Sequence, residues 1–579
     1  MIPLFALAAM VTSFAPAIDM PAVINRFAAD RDSLERAYPV AASQVRADRF
    51  RKFYNEELGT LGRIDYGQLD QDGKVDYVLL EEMLRHELRT LDAAVEYKRQ
   101  MAPLLPFANT ILDLELARRR MEPIDSPATA TKLNELSKTI ADAKKRLEGE
   151  LEHGDLAVTN GVDKAPANAK IVVSRSSANR ALQTLGEVRR SFEHWYGFYN
   201  GYDPSFGWWN EAPHKAVLAA LDDYVNFVRE RIVAIKADDK TTIIGFPIGR
   251  EALLADLEFE RIPYTPEELI AIADKQYDWC LAEMKKASRE LGYGDDWHKA
   301  LEHVKQQYVE PGKQPALIRE LALEAIDFVE KRDLVTIPPL AKETWRMEMM
   351  SPEAQLQNPF FLGGETIQVS FPTNTMAHEA KLMSLRGNNR YFARATVHHE
   401  LIPGHHLQGF MADRYNPHRQ NFYTPFYVEG WALYWEMLLW NLGFAQTPEQ
   451  KIGMLFWRMH RCARITFSLS FHLGKMTPQQ CVDMLVDKVG HERENALAEV
   501  RRSFAGNYSP LYQAAYMLGG LQLMSLKHDL VDSGKMTIKQ FHDAVLHTGP
   551  IPIDLVRVTL TGAPLEKDKQ ATWRFAPTN

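Results

Sequence analysis

The chain has 579 residues, 46% hydrophobic and 25% charged, with a net charge of −8; that is an ordinary globular composition with room for a large core. An acidic balance with both signs interspersed argues against nucleic acid as the main partner, because phosphate binding needs a basic surface. The three cysteines, Cys280, Cys462 and Cys481, are far apart and outside any CxxC pair, which argues against a disulfide scaffold or a thiolate metal site.

At the N-terminus, Leu4 to Val11 is a short apolar run followed by Ala15-Pro16-Ala17. Residues 1–17 resemble the apolar core and small-residue cleavage site of an export signal, without its basic leader. An apolar helix packed on the fold is the alternative. The expectation is an exported, periplasmic-type protein, with a cytoplasmic one left open. No later stretch has the 18 or more apolar residues of an integral membrane span.

The rest reads as mostly α. Residues 67–100 place apolar side chains at three- and four-residue spacing, and 130–152 read as a long solvated helix. Segment 153–180 is a polar connection with a short strand at Ile171-Val172-Val173. Residues 213–236 and 265–292 are further helices. Thr265-Pro266-Glu267-Glu268 is a good start signal, with a cap, a first-turn proline and then acids. Thr366 to Phe371 alternates polar and apolar, which predicts a half-buried strand. A helix from about Asn389 to Met411, a loop over 414–425 and a second helix from about Tyr427 to Leu442 follow. Residues 18–340 read as a helical scaffold and 341–579 as the region carrying the chemistry, in one integrated fold.

Four His-Glu pairs occur, at 86, 378, 399 and 491, but only His399-Glu400 is followed by histidines at short range: His398-His399-Glu400-Leu401-Ile402-Pro403-Gly404-His405-His406. In the helical zinc motif H-E-x-x-H, histidines four apart share a metal and the glutamate acts as general base. Here His405 comes six residues after His399, about 600° of helical turn, so the rings of a regular helix would diverge. His406 would face the right way but lie about 10 Å along the axis, too far for two bonds of about 2 Å. Pro403-Gly404 can bulge the helix and bring a histidine back. Either His405 or His406 could be that histidine. A third ligand is expected from Val428-Glu429-Gly430-Trp431-Ala432-Leu433-Tyr434-Trp435-Glu436. Glu429, in the first turn of its helix, would ligate, and Glu436, seven residues on, would orient a ligand.

HHELIPGHHLQ followed by VEGWALYWE resembles the bacterial DUF885 family, which in turn resembles the gluzincin-type zinc metallopeptidases. Tyr202-Asp203-Pro204-Ser205-Phe206-Gly207-Trp208-Trp209, Ser509 to Gly519, Phe541 to Leu546 and Pro552-Ile553-Asp554-Leu555 extend the similarity. At Leu511-Tyr512 the chain departs from the family's Gly-Gln spacing. The resemblance implies His405 as ligand, Tyr516 as the donor to a tetrahedral oxyanion, and a large helical zincin-like fold with a small β element beside the metal-binding helix. Tyr512 shares the helix face of Tyr516. It also implies that the strand at 366–371 pairs with an extended peptide substrate.

The expected function is zinc-dependent peptide-bond hydrolysis, with Zn2+ on His399, His405 and Glu429 and with Glu400 as general base. The rivals are an amidase acting on cell-wall or small amides through the same site, and a non-catalytic helical binding protein with a vestigial metal. Arg386, Arg390, Arg394 and Arg557 are candidates for gripping a substrate carboxylate.

Overall fold

Side-chain caps start many of the helices. In Thr-Pro-x-Glu/Gln sequences the threonine hydroxyl accepts from the third helical N–H, and the Glu or Gln side chain accepts from the threonine N–H. This capping box opens the helices Pro266–Glu290, Pro448–His472 and Pro478–Met484. A computed structural model describes residues 19–576 apart from 161–165, 167, 237, 240, 356–359 and 506–507. The signal-like reading of 1–17 lies outside the described residues.

The chain is mostly helical, as its periodicity predicts. The reading of 67–100 becomes Gln71–Met101, capped by Asp70, and that of 130–152 becomes Ser126–Glu152. The helix expected from 213 begins earlier, at Pro204 under an Asp203 cap, and carries Pro213 in its interior. Its apolar face, with Val217, Leu221 and Tyr224 fully buried, outweighs the lost hydrogen bond. Among the described residues no helix is long and apolar enough to cross a membrane.

Two large apolar clusters organise the packing. One lies within the stretch Val40 to Val233 and joins the helices Ala108–Arg119, Ser126–Glu152, Arg175–Tyr199 and Pro204–Phe227. Strands β1 (Leu156–Thr159) and β2 (Ile171–Ser174) pair in parallel beside it. The other gathers residues as distant in sequence as Met20 and Phe575, so the chain on both sides of residue 340 shares one core.

Strands β3 (Arg346–Met349) and β4 (Thr366–Val369) form a second parallel pair. Ile367 and Val369 of β4 pack with Ala393, Val397 and Leu401, which sets this small sheet beside the helix Arg390–Glu400. The other edge of β4 is bridged by Leu362, whose N–H and C=O both bond Gln368. β4 therefore offers no free edge at Gln368 for an extended substrate, against the expectation for this strand.

Candidate metal centre

Asn389 caps the helix Arg390–Glu400 by accepting from the N–H groups of Tyr391 and Phe392. The helix stops at Glu400, and a new one runs from His405 to Ala412. The sequence suggested a bulge; the structure has a break instead. Gly404 donates to the His398 carbonyl (3.0 Å) and His406 to that of Leu401 (3.0 Å), folding the chain back on itself. The backbones touch: a Cβ on residue 404 would stand 1.8 Å from the His399 oxygen, so only glycine fits. Trp431 Nε1 donates to the Pro403 carbonyl (2.8 Å) and pins the break to the facing helix. The turn-back brings His405 beside His399, with ring centres 4.8 Å apart.

The facing helix, Pro425–Asn441, starts under a Thr424 cap, which puts Glu429 in its second turn rather than its first. Glu429 Oε2 lies 3.5 Å from His399 Nε2 and 3.3 Å from His405 Nε2. It is buried and makes no hydrogen bond of normal geometry. Donors bonded at 2.0–2.1 Å to one tetrahedral ion stand about 3.3 Å from each other, and both separations are close to that value. A looser set, His399, Glu400 and His405, lies within 4.8 Å. Neighbouring side chains on a helix point about 100° apart, which disfavours His399 and Glu400 as joint ligands. We therefore take Glu429 as the third donor and Glu400 as the carboxylate beside it.

Glu436 Oε1 lies 2.7 Å from His399 Nδ1. It accepts that proton and leaves Nε2 turned to Glu429 and His405. Burial works against charge on His399, but the Glu429 carboxylate beside it and the bond to Glu436 prevail and lift its pKa to about 9. Burial likewise opposes ionisation of Glu429, yet His405 and His399 hold it well below the usual carboxylate range. Burial pushes Glu400 up. His406 is turned away: its Nε2 meets the Ala341 carbonyl at 2.7 Å, which removes it as the alternative to His405. His398 bonds the Arg394 carbonyl within its own helix.

The helix Tyr512–Lys527 crosses Pro425–Asn441 at glycines. A Cβ on Gly519 would lie 2.0 Å from the Phe426 carbonyl, and one on Gly430 would lie 2.6 Å from Gly519 Cα. This close crossing lets the Tyr512 hydroxyl donate to Glu429 Oε1 (2.5 Å). Tyr516 stacks on His399, with ring centres 6.2 Å apart. Burial and Glu429 push both phenols far above the usual tyrosine value, so both stay protonated.

These groups line a cavity of about 390 Å³ together with Gly363, Trp457, Tyr508, Arg461, Arg464 and Arg502. Gly363 packs on the glutamate: a Cβ there would fall 2.1 Å from Glu400 Oε2. None of the four arginines singled out in the sequence lines the cavity. Arg386 pairs with Glu302 and Glu492, Arg390 with Glu320, Arg394 with Glu324 and Arg557 with Asp554. Sequence reasoning missed Arg461 and Arg464, although two charges three apart inside the apolar run of Pro448–His472 were a usable signal.

The model of a family described as a bacterial protein of unknown function, DUF885, matches residues 31–560. The chain belongs to that family. Its fold is shared by two solved structures described as putative lipoproteins. The one from Shewanella oneidensis is 16% identical with a TM-score of 0.68, over 94% of this chain and 100% of its own. The one from Colwellia psychrerythraea is 15% identical with a TM-score of 0.57, over 94% and 99%. No curated protein matches this member of the family.

Proposed function

We propose that the protein is a zinc-dependent peptidase of gluzincin-like, zincin-type fold. The observation that carries the reading is the buried Glu429 oxygen set between two imidazole nitrogens, with Glu400 alongside at the cavity wall. His399, His405 and Glu429 would hold the ion, and three protein donors leave a position open, as hydrolytic zinc sites do. Zinc in such a site supplies Lewis acidity towards a carbonyl and a water.

The chain's own residues do the rest. Glu400 takes the proton of a water in the cavity on its carboxylate and later hands it to the departing amine nitrogen. Gly363 confines Glu400 on one side. Glu436 fixes the orientation of His399, and Tyr512 fixes that of Glu429. Tyr516, protonated and in the cavity wall, is the donor for the oxyanion. An exported or envelope location fits the description of the two structural neighbours as lipoproteins.

The test is metal content together with cleavage of a mixed peptide library. About one zinc per chain is expected, lost in His399→Ala, with cleavage that depends on it. Undiminished zinc in His399→Ala would overturn the site. A zinc-loaded protein inert towards peptides but active on small amides would move the assignment to an amidase.

A further inference from the structure

Arg461, Arg464 and Arg502 stand together on the cavity wall, and the site described above has no use for them. They come from the helices Pro448–His472 and Arg493–Phe504. The three guanidinium groups share two paired carboxylates. Glu499 serves both Arg464 (2.7 Å) and Arg502 (2.9 Å). Glu436, 3.6 Å from Arg461, is already bonded to His399. The nearby His460 and His491 supply no countercharge, and burial and the arginines hold their pKa values down. Nε of Arg461 and Nη1 of Arg464 are buried without a hydrogen-bond partner. Arg461 and Arg464 are only 4% and 2% exposed. Buried guanidinium groups in surplus over their carboxylates, at the wall of a cavity, suit an anion that arrives with the ligand.

Their position fixes which anion. The Tyr516 ring centre is 6.2 Å from that of His399 and 4.6 and 4.4 Å from the Arg461 and Arg464 guanidinium carbons. The cationic wall and the candidate metal ligand His399 therefore stand against the same tyrosine ring. An extended peptide advances about 3.3–3.6 Å per residue, so a carboxylate one or two residues beyond the cleaved bond reaches the wall.

We propose that Arg461, Arg464 and Arg502 form a subsite for the C-terminal carboxylate of a peptide, so that the enzyme removes one or two residues from the carboxyl end. This rests on the peptidase reading for its chemistry, but the subsite can be tested by binding alone. Zinc-loaded Glu400→Gln protein is titrated calorimetrically with one peptide as free acid, as C-terminal amide, and as an amide carrying a glutamate side chain near its end. The free acid should bind about tenfold or more tighter than either amide. Adding Arg461→Gln should collapse that preference while zinc content stays unchanged. Arg461 is chosen because Arg464 and Arg502 also neutralise buried Glu499. If thermal melting shows Arg461→Gln to be poorly folded, Arg461→Lys, which keeps the charge but loses the planar fork, carries the test.

Equal binding of acid and plain amide overturns the subsite. Equal binding of the acid and the glutamate-bearing amide overturns the terminal assignment in favour of an acidic side chain. A preference for the acid that survives both arginine variants also overturns it. An acid preference lost in Arg461→Gln, with no peptide cleaved by the wild-type protein, would leave the subsite standing and remove the peptidase reading. Cleavage with no distinction between acid and amide would do the reverse.

Discussion

Replacing the two neighbouring carboxylates one at a time, Glu429→Gln and Glu400→Gln, separates metal ligand from general base. Both changes preserve shape and remove one negative charge. Glu429 Oε2 is 3.5 and 3.3 Å from the two imidazole nitrogens, so its loss removes a donor and the charge opposing the ion. Residues that merely orient a ligand cost about 10–100-fold in affinity. Loss of a ligand should exceed the upper end, which at about 1.4 kcal/mol per tenfold is more than roughly 2.8 kcal/mol. Glu400→Gln should hold zinc to within about tenfold, while peptide turnover falls by about 10²–10⁴. Zinc is measured by elemental analysis after competition with a chelator, and turnover by mass spectrometry of a cleaved peptide. If Glu400→Gln loses the zinc and Glu429→Gln keeps it, the ligand set is His399, Glu400 and His405, and the reasoning from donor spacing is wrong.

His405→Ala should lose zinc, whereas His406→Ala should keep it and lose only the bond to the Ala341 carbonyl, about 1 kcal/mol of stability; the reverse result in the same zinc assay would exchange the two. Glu436→Gln should weaken zinc about 10–100-fold without abolishing it, because it removes the acceptor that orients His399; a chelator titration reads this directly. Burial pushes Glu260 up to about 8, with Asp256 and Glu82 adding, although its bond from Thr424 pulls the other way. A carboxyl whose folded pKa is raised lends stability that is complete below about pH 4.5 and lost as pH climbs through 8. Glu260→Gln should therefore melt at an increasingly higher temperature than wild type between pH 5 and 9. A melting difference that stays flat across that range refutes it.

Much of this site was legible in the sequence because its information is local. His399-Glu400, the Pro-Gly break, and Glu429 with Glu436 seven residues later lie in two short motifs whose spacing implies two facing helices. The choice between His405 and His406 was harder. It depends on the chain reversing at Gly404, which the motif permits but does not require. The role of Tyr512 was not legible: it comes from the Gly430–Gly519 crossing, a contact between backbones far apart in sequence. The arginines reach the cavity on two further helices brought in by long-range packing. The alternation at 366–371 correctly signalled a strand, but it could not show that Leu362 would occupy the edge. The helix read from 213 in fact starts at Pro204 and carries Pro213 in its interior, and burial of the surrounding face explains the longer helix.

The charges around the site give a reason for a divalent ion to complete it. Three buried carboxylates, Glu400, Glu429 and Glu436, stand around the imidazoles of His399 and His405. Burial opposes charge on all three. It prevails at Glu400, whose pKa is raised, while the histidines help hold those of Glu429 and Glu436 down. A divalent ion held by His399, His405 and Glu429 would add positive charge beside Glu400. Glu400 can then ionise without an uncompensated buried charge. The same ion is thus expected to pull the raised Glu400 pKa back down, so binding of the ion and readiness for proton transfer are linked. Protons counted by calorimetry in buffers of different ionisation enthalpy test this. Zinc binding to wild type should release more protons than binding to Glu400→Gln. Equal release from both proteins would show that Glu400 is already ionised before the ion arrives.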